Sequence, residues 1–464
     1  MTAAENERDI AAIAKGGRTN FLGFLLRLAA RIPFLFIAGR MYGAESLGRF
    51  ASALVVIELC GLLGSLGMKR GLAHRLSQED ASPANVVADA VLVSLAASLV
   101  LAAVLFVFPQ PMFPSGHYSW VDRLLPLAIP PLAVTEVALA ALAYRYNVKA
   151  TVHARAVVEP WTLSIAAAGL WFVVPEGGMS LAYILSIVAA ATAALVPMVR
   201  SYGWPSGWRP RPVKLARMGW VYLPLAGADL VEWGTRRVDI AILGLFASPA
   251  GVGVYWAAQQ VASLPQKLKS SFEPILGPVI TRNLKERNYS AIARQVCQVG
   301  FWITAAQAGI ALALGIPGEG VMGLMGPFFV GGTAALGFML AAEVVAATAV
   351  VSEAALIYVA RMRNLLVSVA TLLLQVGLTV GGMILVQSMG LSSLYMAAAA
   401  ACALMLSLGV ASLVKATMLA RILGEPVNNW RWALVWAAIP AGLVGFAATR
   451  FLPEWAELVF GIPA

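Results

Sequence analysis

RRVDIAILGLFASPAGVGVYWAAQQV, residues 236–261, places two arginines and an aspartate at the head of an otherwise apolar run. A shift of 205 residues lays it on RIPFLFIAGRMYGAESLGRFASALVV, residues 31–56, pairing Arg236 with Arg31, Ile242 with Ile37, Gly244 with Gly39, Gly253 with Gly48 and Tyr255 with Phe50. A handful of identities arises easily in alanine-rich spans, so the match gains its weight from what surrounds it. Each stretch opens one half of the chain, and the halves hold equal numbers of apolar spans. Six spans per half leave both halves starting on the same side of the membrane, so the repeats are expected to be parallel, related by an axis along the membrane normal.

The spans follow from composition. Of 464 residues 60% are hydrophobic and only 12% charged, and the mean hydropathy is +0.80, values that a soluble globular surface does not tolerate. Runs of about 18 to 25 apolar residues, each long enough to cross a hydrocarbon core of roughly 30 Å as helix, recur from end to end. They fall near 20–40, 50–67, 86–108, 123–144, 156–174 and 180–199, then 218–246, 252–278, 292–316, 333–358, 364–386 and 391–414, with a thirteenth at 431–449. The period-2 alternation of a β-barrel is absent.

Basic residues orient these spans. Lys69, Arg70 and Arg75, then Arg145, Lys149 and Arg155, then Arg200, Arg209, Arg211, Lys214 and Arg217 occupy alternate connections, and Arg282, Lys285, Arg287, Arg294, Arg361, Arg363, Lys415, Arg421 and Arg431 continue the pattern. The opposite connections hold only Arg40, Arg49, Arg123 and Arg450. The positive-inside rule makes the richer side cytoplasmic, and with it the N-terminus, whose first nineteen residues lack the core and cleavage site of a secretory signal. This bias accounts for the net charge of +10. It favours anionic lipid headgroups and is no argument for nucleic acid.

The seventh span carries Asp229, Glu232, Arg236 and Asp239 at i, i+3, i+7 and i+10, an arc of roughly 80° on a helix. Counted from the far end of the span, Arg236 lies roughly 15 Å deep, near the bilayer midplane, and Arg31 has a similar depth in the first span. Arg27 and Asn20 share the stripe of Arg31. A charge at that depth costs about 2.5–3.5 kcal/mol on insertion scales, so such a face is expected to line a bundle interior or watery cavity. Pairing of Arg236 with Glu232 and Asp239 along one helix would equally make insertion tolerable. Arg27 and Arg31 have no acid on their own helix and would need Glu232, Asp239 or Glu58. Arg237 stands about 100° off the stripe. The eighth span adds Gln259, Gln260, Ser263, Lys267, Ser270 and Ser271, loosened by Pro265, Pro274 and Pro278, and Lys267 either reaches the same cavity or snorkels to headgroups. Glu58, Glu136, Glu343 and Glu353 are single acids in apolar context, for which helix packing is the commoner role.

Cys60, Cys297 and Cys402 lie apart in separate spans and read as small buried hydrophobes rather than disulfide partners or metal ligands. His74, His117 and His153 form no ligand pattern. Walker loop, HExxH, paired-cysteine and dinucleotide fingerprints are all missing. The longest outer connection, around FPQPMFPSGHYSWVDR, has no room for a catalytic domain.

Two stretches carry a family resemblance. KGGRTNFLGFLLRLAARIPFLFIAGRMYGAESLGRFASALVVIELCGLLGSLGMKRGL resembles the start of bacterial polysaccharide exporters and oligosaccharide flippases, and RRVDIAILGLFASPAGVGVYWAAQQVASLPQKLKSSFEPILGPVITR resembles their seventh and eighth spans. The superfamily joins multidrug exporters to flippases of lipid-linked oligosaccharides and polysaccharides. The resemblance implies an all-α polytopic membrane protein of two six-helix lobes around a central cavity, with one or more extra C-terminal helices. The divisions expected are a cytoplasmic segment 1–19, an N-lobe 20–205, a C-lobe 206–420 and a terminal span and tail 421–464.

It further implies an inner-membrane flippase that moves a polyprenyl-pyrophosphate-linked oligosaccharide by alternating access for surface polysaccharide assembly. Arginine suits a pyrophosphate, because its planar fork makes paired charge-assisted hydrogen bonds. Arg27, Arg31, Arg236, Arg237 and Lys267 are therefore the candidates for the headgroup, and Asn20, Glu232, Asp239, Gln259 and Gln260 for saccharide contact or tuning. No catalytic residue, metal or cofactor is expected, and the driving force, protons, sodium or membrane potential, is left open. Expected partners are the lipid-linked substrate, membrane lipids and glycosyltransferases or a polymerase of the same pathway. An ion-coupled exporter of organic cations and a membrane-embedded glycan polymerase or ligase are the alternatives.

Overall fold

The structure, a computed structural model, describes residues 32–78, 82–270, 280, 283–428 and 431–451. Among the described residues the regular elements are all helical. Eight helical stretches among the described residues combine the length and hydropathy of a membrane crossing, and the chain is a multi-pass membrane protein. Each of the thirteen apolar segments read from the sequence falls on helix over most of its described length. The seventh is longer than expected: it runs Pro212–Phe246 with Pro224 inside it and no break. Backbone contacts divide the chain within that helix, into Met1–Arg237 and Val238–Ala464.

The first unit opens with α1, residues 32–42, whose last turn Ala38–Tyr42 is wound as π-helix. Gly43, at φ 79°, separates α1 from α2 at a backbone angle that costs glycine nothing. Then follow α2 (Gly43–Gly64), α3 (Met68–Leu76), α4 (Pro83–Val107), α5 (Ile129–Tyr144), α6 (Val148–Val152), α7 (Glu159–Trp171), α8 (Gly178–Tyr202) and the first part of α9 (Pro212–Phe246). The repeat register proposed from sequence places residue 248 opposite Gly43, and residues 247–248 are indeed where α9 gives way to α10 (Pro249–Ser270). Both halves break at the same position.

Helix α5 is the hub of this unit, packed on α2, α4 and α8. Without a hydrophobic drive between helices in lipid, close approach needs small residues. Gly64 supplies one: an added Cβ there would stand 2.9 Å from the Cβ of Ser98. The connection Ser65–Gly67 is tighter still. Gly67 has φ +71°, and a Cβ on it would meet the carbonyl of Tyr222 and stand 2.9 Å from the amide nitrogen of Ala226. Backbone cannot yield as a side chain can, and the left-handed angle alone costs about 1–2 kcal/mol for an L-residue. Gly67→Ala is therefore expected to lower the yield of folded protein severalfold and to lower the apparent melting temperature, measured on purified protein by thermal shift.

Between α6 and α7 the turn His153–Val158 is also π-helical. Its cause is local: Pro160 enters the first turn of α7, donates no hydrogen bond and crowds the carbonyl four residues earlier, so the preceding turn widens. The widened turn carries Arg155.

The second unit comprises the end of α9, then α10, α11 (Tyr289–Gly315), α12 (Gly318–Gly323), α13 (Thr333–Val359), α14 (Arg361–Ser388), α15 (Ser393–Leu423) and α16 (Trp432–Phe451). Helix α13 is central, packed on α10, α11 and α15. Its buried face mixes alanines such as Ala342, Ala346, Ala347 and Ala349 with larger apolar residues, and Ser412 of α15 ties in by donating to the Val345 carbonyl at 2.5 Å and accepting from the Ala349 amide at 3.2 Å. Lys415, assigned from sequence to a basic connection, is instead only 5% exposed. It pairs with Glu353 at 2.8 Å and donates to Ser368 at 3.1 Å. Cys297 also departs from the expectation of a plain hydrophobe, since its sulfur accepts from the Asn428 amide at 3.3 Å.

Candidate functional site

A cavity of about 260 Å³ opens in the first unit. Its walls come from six helices and one π-helical turn: Glu58 and Leu62 of α2, Lys69 of α3, Leu132 and Glu136 of α5, Arg155 of the turn before α7, Glu159 of α7, Tyr183 of α8, and Asp229, Trp233 and Arg236 of α9. Its volume is a little below the usual range for small-molecule pockets, roughly 300–1,000 Å³.

The charges in it are organised as ion pairs. Arg155, in the π-helical turn, donates from one guanidinium nitrogen to Glu136 and from another to Glu159, the latter at 2.6 Å. Lys69 reaches the second oxygen of Glu136 at 2.9 Å. On the α9 side, Arg70 donates to Asp229 Oδ1 at 2.5 Å, and Arg237 pairs with Glu58 at 3.1 Å. Every carboxylate of the cavity thus has a basic partner. Two polar atoms of the wall are buried and unengaged: Asp229 Oδ2 and Trp233 Nε1.

The polar stripe read on the seventh span meets this cavity in part. Asp229 and Arg236 line it, and Trp233, one turn from Asp229, joins them on the same face. Arg237, expected off the stripe, is held by Glu58, which the sequence offered instead as a counter-ion for Arg27 or Arg31. Asn20, Arg27 and Arg31 lie outside the described residues, and at Glu232 and Lys267 only the helical backbone of α9 and α10 is described.

Asp239 belongs to the second unit and makes a separate cluster there. It is 1% exposed and Tyr255 is fully buried. The Tyr255 hydroxyl donates to Asp239 Oδ2 at 2.5 Å, the Gln259 amide donates to the same oxygen at 3.4 Å, and the Ile240 amide donates to Oδ1 at 2.8 Å. Gln260 is half-buried, and its backbone carbonyl accepts the Ser263 hydroxyl at 2.7 Å.

Lys69, Arg70, Arg155 and Glu136 were missed as site residues, because the three cations fit the positive-inside pattern and needed no other explanation. The signal available was the lone acid. Glu136 stands in an apolar span, where an unpaired carboxylate is expensive, so a cation from another segment had to reach it.

Comparison with known proteins bears on this arrangement. The family model described as polysaccharide biosynthesis protein matches residues 37–305, more than half of the chain. No curated protein sequence matches it significantly. Among solved structures the chain is similar to a lipid II flippase MurJ in an inward closed conformation, with a TM-score of 0.71, 11% identity and 96% of each chain covered. It is also similar to an inward-facing multidrug resistance MATE family transporter of the MOP superfamily, with a TM-score of 0.60, 15% identity, and 86% of this chain and 94% of the other covered. At these identities the likeness is one of fold.

Proposed function

The chain belongs to the polysaccharide biosynthesis protein family, and from that premise we propose that it is a flippase that carries a polyprenyl-pyrophosphate-linked oligosaccharide across a bacterial inner membrane, for surface polysaccharide assembly. The observation that carries the reading is the joint one: a polysaccharide biosynthesis family match on a chain whose fold is that of a protein described as a lipid II flippase. In this reading the protein is a transporter and not an enzyme, with its N-terminus cytoplasmic. The lobes are residues 20–205 and 206–420, and alternating access is driven by protons, sodium or membrane potential.

Arg31 and Arg236, matched by the internal repeat, are proposed to hold the pyrophosphate together with Arg27. Charge-assisted hydrogen bonds to such a group contribute about 1.5–3 kcal/mol each. Replacing both Arg31 and Arg236 with glutamine is therefore expected to lower surface polysaccharide about tenfold or more at unchanged protein level. The lipid-linked precursor should accumulate in parallel. Full export by the double variant at normal abundance contradicts this role.

One observation favours a second reading, ion-coupled export of organic cations: the cavity of the first unit holds four carboxylates beside Trp233 and Tyr183. Against it, those carboxylates are engaged by lysine and arginine. A deletion strain separates the two, since a cation exporter predicts sensitivity to cationic dyes with surface glycans intact.

A further inference from the structure

The bend between α2 and α3 lies directly on α9. Leu66 and Gly67 take left-handed backbone angles there, φ 47° and 71°, so the two helices meet at an elbow, and Leu66, which carries a side chain, is strained in it. A Cβ on Gly67 would meet the Tyr222 carbonyl and stand 2.9 Å from the Ala226 amide nitrogen. A Cβ on Gly71, one turn along α3, would stand 2.7 Å from Tyr222 Cε1. Beside this contact Arg70 donates to Asp229 Oδ1 at 2.5 Å.

Tyr222 precedes Asp229 by seven residues, which puts it on the same face of α9 to within about 20° and roughly 10 Å nearer the start of the helix. Asp229, Trp233 and Arg236 on that face line the cavity, as do Glu58 and Leu62 of α2. At the cavity α2 and α9 are bridged by long side chains, Glu58 to Arg237 at 3.1 Å. At the elbow backbone lies on backbone. The elbow therefore closes the end of the cavity that faces Lys214 and Arg217, cytoplasmic in the proposed topology. The closed form also carries a penalty. Asp229 Oδ2 and Trp233 Nε1 are shut in without a hydrogen-bond partner, and water would supply one once the elbow and α9 part. Arg70, whose side chain is 44% exposed, stays hydrated in both forms. A close fit opposed by its own unmet polar atoms suits an element that opens.

We propose that the α2–α3 elbow is the gate at this end of the cavity, held shut by Tyr222 seated on Gly67 and Gly71 and by the Arg70–Asp229 pair, and that it parts from α9 to admit cargo to Arg236. That cargo enters through it rests on the flippase reading; the gating itself does not.

The test locks and loosens the elbow in the full-length chain, in inverted membrane vesicles, with Cys60, Cys297 and Cys402 replaced by serine. Leu62→Cys supplies a reporter thiol in the cavity wall, and its labelling by a membrane-impermeant maleimide added to the cytoplasmic face is followed by mass spectrometry. Gly71→Cys with Tyr222→Cys supplies the lock. A Cβ on Gly71 would stand 2.9 Å from Tyr222 Cγ, one bond from the Tyr222 Cβ, so the two Cβ atoms fall within about 4.4 Å, a span that a disulfide bridges. Oxidation should slow labelling of the reporter at least about tenfold, as a closed two-state element predicts, and reduction should restore it. Arg70→Gln leaves Asp229, 4% exposed, as a stranded carboxylate that only the open form hydrates, and should speed labelling about tenfold in the unlocked protein. Failure of the disulfide to form, equal labelling of oxidised and reduced protein, or no acceleration by Arg70→Gln overturns the proposal. Surface polysaccharide separates the two readings. Gated labelling in a protein that moves no lipid-linked glycan would sink the flippase reading and leave the gate standing. Glycan translocation undiminished by the cross-link would do the reverse.

Discussion

Arg155→Met is expected to destabilise the first unit by about 3 kcal/mol, the low end of the range for breaking a buried ion pair. The substitution keeps the side chain's length and apolar stem but leaves Glu159 without its cation, 25% exposed, and leaves Glu136 with Lys69 alone. The cost arises from stranded charge, not from lost attraction, and that distinction is measurable. The triple variant Arg155→Met, Glu136→Gln, Glu159→Gln removes the stranded carboxylates and should regain at least half of the loss, because well-packed neutral groups often match a buried pair in stability. Lys69, whose side chain is 49% exposed, can return to solvent when Glu136 is neutral. Unfolding of purified protein followed by near-ultraviolet circular dichroism checks both steps. If the triple variant is no more stable than Arg155→Met, the network is not what holds α5 to the α6–α7 junction.

The second large effect is expected at Asp239. Asp239→Ala strands the Tyr255 hydroxyl, which has no exposed surface, and removes the acceptor of Gln259. An unsatisfied buried donor costs about 1–3 kcal/mol, so a loss of roughly 2–3 kcal/mol follows. Asp239→Asn retains an acceptor for Tyr255 and should cost less than about 1 kcal/mol. Tyr255→Phe falls between them, since Asp239 keeps the Ile240 amide and Gln259. The order of melting temperatures is the check: Asn highest, then Tyr255→Phe, then Ala. Equal loss from Asn and Ala would mean that the carboxylate's charge, rather than its role as acceptor, is what the second unit requires.

These two clusters also show where the sequence was readable. Helical segments were legible because hydrophobicity and span length are properties of contiguous residues. The polar face of α9 was legible for the same reason, and Asp229 and Arg236 do line a cavity. Pairings between helices were not. Glu136 meets Arg155 across a helical junction, Glu58 meets Arg237 from a helix far earlier in the chain, and Glu353 meets Lys415 from another. No spacing encodes such partners, and a cation near a span end satisfies the positive-inside rule whether it faces headgroups or a carboxylate. Arg155 was harder still to place, since it sits in a π-helical turn before Pro160 where the regular helical spacing does not hold.

The most direct measurement of the central claim is the leaflet in which a lipid-linked oligosaccharide resides when the protein is present or depleted. In spheroplasts, a membrane-impermeant glycan-oxidising reagent reports the outer leaflet alone. With the protein present the lipid-linked glycan should be largely modified; after depletion the same glycan should accumulate and stay protected until the membrane is permeabilised. Equal modification before and after depletion would contradict the flippase account.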